Sequence, residues 1–266
     1  MFFLNFCYPQ HKKYFNLLQI KSISKHFGGV KALNDLNLEV KEGEIFGVIG
    51  PNGSGKSALI NVICGVFLPT KGEVIFEGQI LSEKPIHQRL KKGIARTFQN
   101  IRLFPNLTVW QNLWVSRNSV DDIKTESSFY RWLGKSNIVK KEIEKMLEFS
   151  NLENRADELA SSLAFGEQRR LELARAVATK PRLLLLDEPA AGMNKDEIRD
   201  LGTRIRSMQQ QGITIILIEH VMELVMGITD RIAVLNFGSK IAEGNPQEIQ
   251  NNMAVQEAYL GYSEDD

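Results

Sequence analysis

Gly50-Pro51-Asn52-Gly53-Ser54-Gly55-Lys56-Ser57 fits the pattern G-x-x-x-x-G-K-[ST], and its flanks decide how it reads. Before it runs Glu44-Ile45-Phe46-Gly47-Val48-Ile49, apolar and β-prone. After it, Ala58-Leu59-Ile60-Asn61-Val62-Ile63 has helical spacing. Strand, glycine loop and helix form the context in which this pattern is a phosphate site. The glycines let backbone N–H groups curl round phosphate oxygens, and the following helix points its positive end at the same anion. Lys56 adds a mobile cation for the β- and γ-phosphates, and the Ser57 hydroxyl is placed to ligate Mg²⁺. The rival is a glycine-rich turn that matches by accident. With Gly at roughly 7% of residues, that arises in about one chain in a hundred of this length, before the flanks are considered. The stretch predicts a nucleoside triphosphate site.

The chain has 266 residues, enough to bury a substantial core as one large or two small domains. Its 33 basic residues against 32 acidic ones leave no excess for nucleic acid or an anionic membrane surface. Cys7 and Cys64 lie far apart without metal-ligand spacing, which argues against a disulfide framework and for a reducing compartment. No apolar run reaches the eighteen or so residues of a membrane span. Residues 1–8 are apolar, but they lack a charged n-region and meet Pro9 and His11-Lys12-Lys13 instead of a cleavage site. Residues 1–15 are therefore expected to be a loosely attached extension, and 262–266 an acidic tail.

Outward from the glycine loop the texture is β-rich. Residues 16–24 and 36–40 alternate as strands around the Phe27-Gly28-Gly29 turn, 73–77 alternate again, and 94–99 read as a strand entering a polar loop. From about 108 to 163 the pattern turns helical, with 109–116 and 138–149 as helices and a polar loop over 121–128. Ile143, Met146 and Leu147 lie on one apolar face of the second. This segment reads as a helical subdomain inserted into a nucleotide-binding core of residues 16–107 and 164–261. Core texture returns with a helix over 166–179. Leu183-Leu184-Leu185-Leu186 follows, a continuous run that suits a strand buried on both faces of a parallel sheet. A helix (196–211), a strand (213–218), a short helix after His220 and strands near 231–235 and 240–243 complete the order. The fold class is α/β, with a largely parallel sheet and antiparallel strands near the beginning.

Asp187-Glu188 ends the four-leucine strand. Ligands gather at the carboxyl ends of strands in open α/β sheets, so these acids emerge beside the glycine loop. Asp187 is placed to serve Mg²⁺, and Glu188 to orient or deprotonate an attacking water. His220 follows Glu219 at the end of another apolar strand, where it could sense a γ-phosphate or be structural. Gln99 begins the polar loop before the helical insertion and could reach the metal or the water. On its own it is one more surface glutamine. Leu163-Ala164-Phe165-Gly166-Glu167-Gln168 is a helix start, with Glu167 suited to the positive end.

The order of these features resembles the ATP-binding subunit of ABC transporters. Aromatic turn, phosphate loop, Gln loop, helical insertion, pentapeptide before a helix, acidic strand end and strand-end His follow one another over residues 17–261. Arg96-Thr97-Phe98-Gln99-Asn100-Ile101-Arg102-Leu103-Phe104 is similar to the branched-chain amino-acid importer group. So are Leu163-Ala164-Phe165-Gly166, Pro189-Ala190-Ala191-Gly192-Met193-Asn194, Ile218-Glu219-His220 and Ala258-Tyr259-Leu260-Gly261. The resemblance implies a P-loop core with an antiparallel β subdomain and an inserted helical subdomain.

It also implies roles. Phe27 would stack on adenine, and Gly50, Pro51, Asn52, Gly53, Ser54, Gly55, Lys56, Ser57 and Ala58 would hold the nucleotide. Ser57, Gln99 and Asp187 would serve Mg²⁺. Glu188 would be the catalytic carboxylate, with Gln99 and His220 beside it. Ala164, Phe165, Gly166 and Glu167 would bind ATP held by a second ATPase subunit, the same or a related chain. The implied partners are transmembrane permeases and, indirectly, an extracytoplasmic substrate-binding protein, at the cytoplasmic face of the inner membrane. Nucleic acid is not among them. Rival substrates are urea or short amides and lipopolysaccharide for export; a rival class is a non-hydrolysing regulatory module. The chain departs from the common pattern at Ala164 and Phe165 (usually Ser and Gly), Val221 (usually Asp), Asn194 (usually Asp) and Ser57-Ala58 (often Thr-Thr).

Overall fold

The computed structural model describes residues 15–118 and 137–260. Most of the expected extension (1–14), the polar loop at 121–128 and the acidic tail at 262–266 lie outside the described residues.

β1 (Asn16–Phe27) and β2 (Val30–Lys41) form an antiparallel hairpin closed by Gly28, at φ 56°. β3 (Ile45–Ile49) leads through the glycine loop into α1 (Lys56–Cys64). β4 (Lys71–Phe76) and β5 (Gln79–Ile80) return to the hairpin, and α2 (Ile86–Lys91) and β6 (Ile94–Arg96) follow. Next come α3 (Val109–Asn118), α4 (Asn137–Ser150) and α5 (Phe165–Ala178). β7 (Leu183–Asp187), α6 (Lys195–Gln210), β8 (Thr214–Ile218) and α7 (Met222–Ile228) alternate. β9 (Arg231–Asn236), β10 (Ser239–Gly244), α8 (Pro246–Gln250) and α9 (Met253–Leu260) finish the described chain.

Two sheets result. One is antiparallel, in the order β2-β1-β4-β5; the other runs β10-β9-β3-β8-β7-β6 and is parallel except for the β9–β10 pair. The four leucines of β7 show why a continuous apolar run was needed. Leu183 and Leu185 pack toward α1 and the antiparallel sheet, whereas Leu184 and Leu186 pack toward α5 and α6. With both faces covered, alternation would bury polar groups without partners.

α3, α4 and α5 form the helical layer, closed by Val109, Leu113, Ile143, Met146 and Leu171. Glu142 of α4 ties it together. Its carboxylate pairs with Arg117 of α3 and accepts from Lys180 Nζ at 2.7 Å.

β2 begins six residues before the alternating stretch 36–40, because its pairing with β1 carries register shifts that break the period-2 pattern. β5, α2, α8 and α9 are elements the periodicity did not bring out; they are too short to show one. α8 does carry a local signal. Asn245 Oδ1 accepts from the Glu248 amide at 3.0 Å, and the Glu248 carboxylate accepts from the Asn245 amide at 2.8 Å. With Pro246 in the first turn, this is a capping box.

Candidate active site

The glycine loop leaves the carboxyl end of β3, which lies between β8 and β9. Its shape depends on missing side chains. A Cβ on Gly50 would come within 2.1 Å of the Leu235 carbonyl oxygen, and one on Gly55 (φ 104°) within 2.5 Å of the Ala32 oxygen. The loop is therefore clamped between β2 and the β9–β10 turn, where the Gly238 amide donates to the Ser54 carbonyl at 3.0 Å. No side chain caps the start of α1, and its first turn holds no acid. Its leading amides and positive pole are left for an anion. Lys56 Nζ donates to the carbonyls of Gly50 (2.6 Å) and Pro51 (2.8 Å). Burial pulls its ammonium below the usual lysine range, against the nearby carboxylates of Glu188 and Asp187. This donor set fits a polyphosphate.

The other end of α1 is held by a residue outside the motifs. Arg89 is buried, and its guanidinium donates to the carbonyls of Val62 and Ile63, both at 2.7 Å, and of Lys84 and Ser82. A cation thus sits on the negative pole of the helix whose positive pole faces the loop.

At the carboxyl end of β7 the two acids diverge. Asp187 is buried; its Oδ2 accepts from Arg96 Nη2 at 2.8 Å, while Arg96 Nη1 reaches Asn61 Oδ1 of α1 at 2.6 Å. One guanidinium thereby fixes the distance between α1 and the acidic strand end. Glu188 takes a left-handed backbone conformation, φ 47°, with its amide on the Ile218 carbonyl at 2.9 Å. Such a backbone is costly for a non-glycine residue and turns the carboxylate out of the strand direction. There its Oε2 accepts from Gln99 Nε2 at 2.7 Å. Lys56, Gln99, Asp187 and Glu188 are thus brought together, and the exposed His220 ring projects from the end of the adjacent β8.

Gln99 is positioned from α5. Arg169 donates to the carbonyls of Phe98 (3.0 Å) and Gln99, Glu172 Oε1 accepts from the Arg102 amide (3.2 Å), and Arg175 reaches the Arg102 carbonyl. Burial pushes the Glu172 carboxyl up, against the Arg102 amide and the Arg169 guanidinium. These residues recur at i, i+3 and i+6, one face of a helix, which in the sequence alone looked like part of an ordinary charged helix.

Two groups of expected site residues stand elsewhere. The Phe27 ring packs edge-on against Phe67, centroids 5.0 Å apart, with Lys25 Nζ over it at 5.0 Å, and the residue is 43% exposed. Ala164–Glu167 sit at the start of α5. Ala164 and Phe165 are exposed, and among the described residues no hydrogen bond joins this stretch to the chain's own glycine loop. Glu167 accepts from the Ala164 amide at 3.0 Å, closing the helix start in the way its charge suggested.

Comparison with known proteins agrees with the geometry. A family model described as "ABC transporter" matches residues 33–191, and one described as "Branched-chain amino acid ATP-binding cassette transporter" matches 239–265. The high-affinity branched-chain amino acid transport ATP-binding protein LivG of Escherichia coli is 42% identical over 252 residues, covering 92% of this chain and 98% of LivG. Its counterpart BraF of Pseudomonas aeruginosa is 39% identical over 253 residues, with the same coverage. Among solved structures, the ADP conformation of MJ1267, an ATP-binding cassette of an ABC transporter, superposes with a TM-score of 0.81 at 32% identity, covering 93% of this chain and all of that one.

Proposed function

This chain belongs to the ABC transporter family, and from that premise we propose that it is the ATP-hydrolysing subunit of a branched-chain amino acid importer. The family couples ATP hydrolysis to transport across a membrane through permease subunits. The observation that most directly supports hydrolysis here is the Gln99–Glu188 hydrogen bond at the carboxyl end of β7, beside Lys56 and Asp187.

The triphosphate would be held by the backbone and side chains of Gly50–Ala58, with Lys56 supplying the charge. Mg²⁺, when bound, neutralises phosphate charge, and Ser57, Asp187 and Gln99 are the residues to hold it. Among the described residues no cluster of three acidic, His or Cys side chains stands ready for a metal, in keeping with an ion that takes few side-chain oxygens and keeps phosphate and water ligands. Glu188 orients the attacking water and takes its proton on the carboxylate, with Gln99 fixing that carboxylate. His220 touches the terminal phosphate, and Phe27, 43% exposed, offers its ring to the base. Ala164–Glu167, of which Ala164 and Phe165 are exposed and none is hydrogen-bonded to the glycine loop among the described residues, serve the nucleotide of a second ATPase subunit.

A groove of about 670 Å³ runs beside the Gln99 loop between α1, α2 and α5. Exposed Val66, Ile86, Leu90 and Phe104 line it, and Phe98 lies in its wall between the guanidiniums of Arg96 and Arg102. It suits a short amphipathic segment of a permease. No described helix is long and apolar enough to cross a membrane. As the ATPase partner of a permease, the chain would sit peripherally, at the cytoplasmic face of the inner membrane.

Gentle solubilisation of native membranes and capture of this chain tests the reading. Two polytopic permeases and a second similar ATPase should co-purify, and labelled leucine uptake by the reconstituted assembly should vanish with Lys56→Ala. Capture with exporter-type membrane subunits, or with none, would overturn it.

A further inference from the structure

Glu219 carries no role in the reading above, yet it is the most deeply enclosed acid near the site, with a side chain 0% exposed. Among the described residues no lysine or arginine is paired with it; the His220 ring nitrogen lies 3.8 Å away. Its charge is answered by backbone instead. Oε1 accepts from the Ala190 amide at 2.7 Å, and Oε2 accepts from the amides of His220 at 2.9 Å and Val221 at 3.1 Å.

The two oxygens therefore face two different loops. Ala190 lies two residues beyond Glu188, in the turn closed by the Ala191 amide on the Glu188 carbonyl at 3.3 Å. His220 and Val221 form the loop that leaves β8 for α7. A buried carboxylate is costly to keep for packing alone. It is well suited to accepting several charge-assisted bonds from donors that approach from opposite sides, which a neutral amide with one acceptor oxygen cannot do.

We propose that Glu219 is a positioning residue that locks the Glu188 turn and the His220 loop into one unit, so that the two groups flanking the terminal phosphate keep a fixed separation. This rests on the roles given to Glu188 and His220 under Proposed function. It assigns Glu219 to turnover and not to nucleotide affinity, because none of its bonds reaches the glycine loop.

The test uses the full chain with Glu219→Gln, which keeps the length and loses one acceptor, and Glu219→Asp, which keeps the charge and loses the reach. Glu44→Gln is the control, a buried carboxylate paired with Arg231 beside the opposite end of β3. Hydrogen exchange without nucleotide should quicken roughly tenfold or more at Ala190 or at His220 and Val221 in both Glu219 variants, the scale of losing a charge-assisted bond. Turnover should fall by about tenfold or more, while affinity for a non-hydrolysable ATP analogue stays within about threefold. Glu44→Gln should lower the melting temperature without either effect.

Unchanged exchange at all three amides in both variants would overturn the proposal. So would turnover within about twofold of wild type, or a turnover loss matched by an equal loss of nucleotide affinity. Full hydrolysis by Glu188→Gln would instead remove the role given to Glu188. The nucleotide-free exchange would still decide whether Glu219 joins the loops.

Discussion

Glu188 is held in a left-handed backbone conformation by the Ile218 carbonyl, and its carboxylate by Gln99, so both its position and its direction are set before any ligand arrives. Glu188→Gln keeps the shape and removes the carboxylate proposed as the base. Turnover should fall by about a hundredfold or more while nucleotide still binds, read by single-turnover assay against equilibrium binding. At Gly55 the backbone decides. An alanine there meets φ 104° and the Ala32 oxygen, so Gly55→Ala should cost about 1–3 kcal/mol in denaturant melts and weaken nucleotide binding together. Arg89 shows a residue far from any motif with a claim on the same loop. Arg89→Ala takes a donor from four carbonyls, of which, among the described residues, only that of Val62 keeps another, the Gly65 amide at 3.2 Å, and should cost about 3–5 kcal/mol; a loss below about 1 kcal/mol would mean that the other carbonyls find new partners.

α5 is where single contacts become a mechanical element. Its start carries Ala164–Glu167 and its flank grips the Gln99 loop, so any tilt of the helical layer moves Gln99 relative to Glu188. Arg169→Lys keeps the charge but cannot fork to two carbonyls. Turnover should drop several-fold with nucleotide affinity near wild type, and equal losses in both would count against a positioning role. Stability of the helical layer should depend on pH through Glu142. Burial pushes this carboxyl up, but the bonds and charges of Arg117 and Lys180 more than reverse it, leaving it below its ordinary value of 4.5. A depressed folded-state value means stability that is present above the ordinary carboxyl range and lost as pH falls through the folded value. The melting-temperature gap between wild type and Glu142→Gln should therefore be constant near neutrality and close below about pH 4.5.

Across the whole molecule the partnership still to be tested is between the glycine loop and the start of α5, which lie in one chain with no hydrogen bond between them among the described residues. If Ala164–Glu167 act on a second subunit's nucleotide, Lys56→Ala and Gly166→Asp chains should each be inactive alone and regain activity when mixed. A mixed pair holds one site with both lesions and one with neither. No recovery at concentrations where wild-type chains turn over ATP would place the whole site in one chain.

The sequence by itself determined the glycine loop between strand and helix, the acidic strand end and the order of the longer elements, because these are local. A glycine loop needs particular residues at fixed spacing, and a strand buried on both faces must be apolar throughout, as Leu183–Leu186 are. What only the tertiary structure decided is which distant groups answer each other. Nothing along the chain names the partners of Arg89 on the α1 carbonyls, Arg96 between Asn61 and Asp187, Arg169 on the Gln99 loop or Glu219 between two turns, even where Arg96 and Glu219 fall in recognisable stretches. Each satisfies backbone or side-chain groups brought near by sheet order, and a buried polar group is served by whatever donor the packing delivers. That delivery has no period and no motif to read.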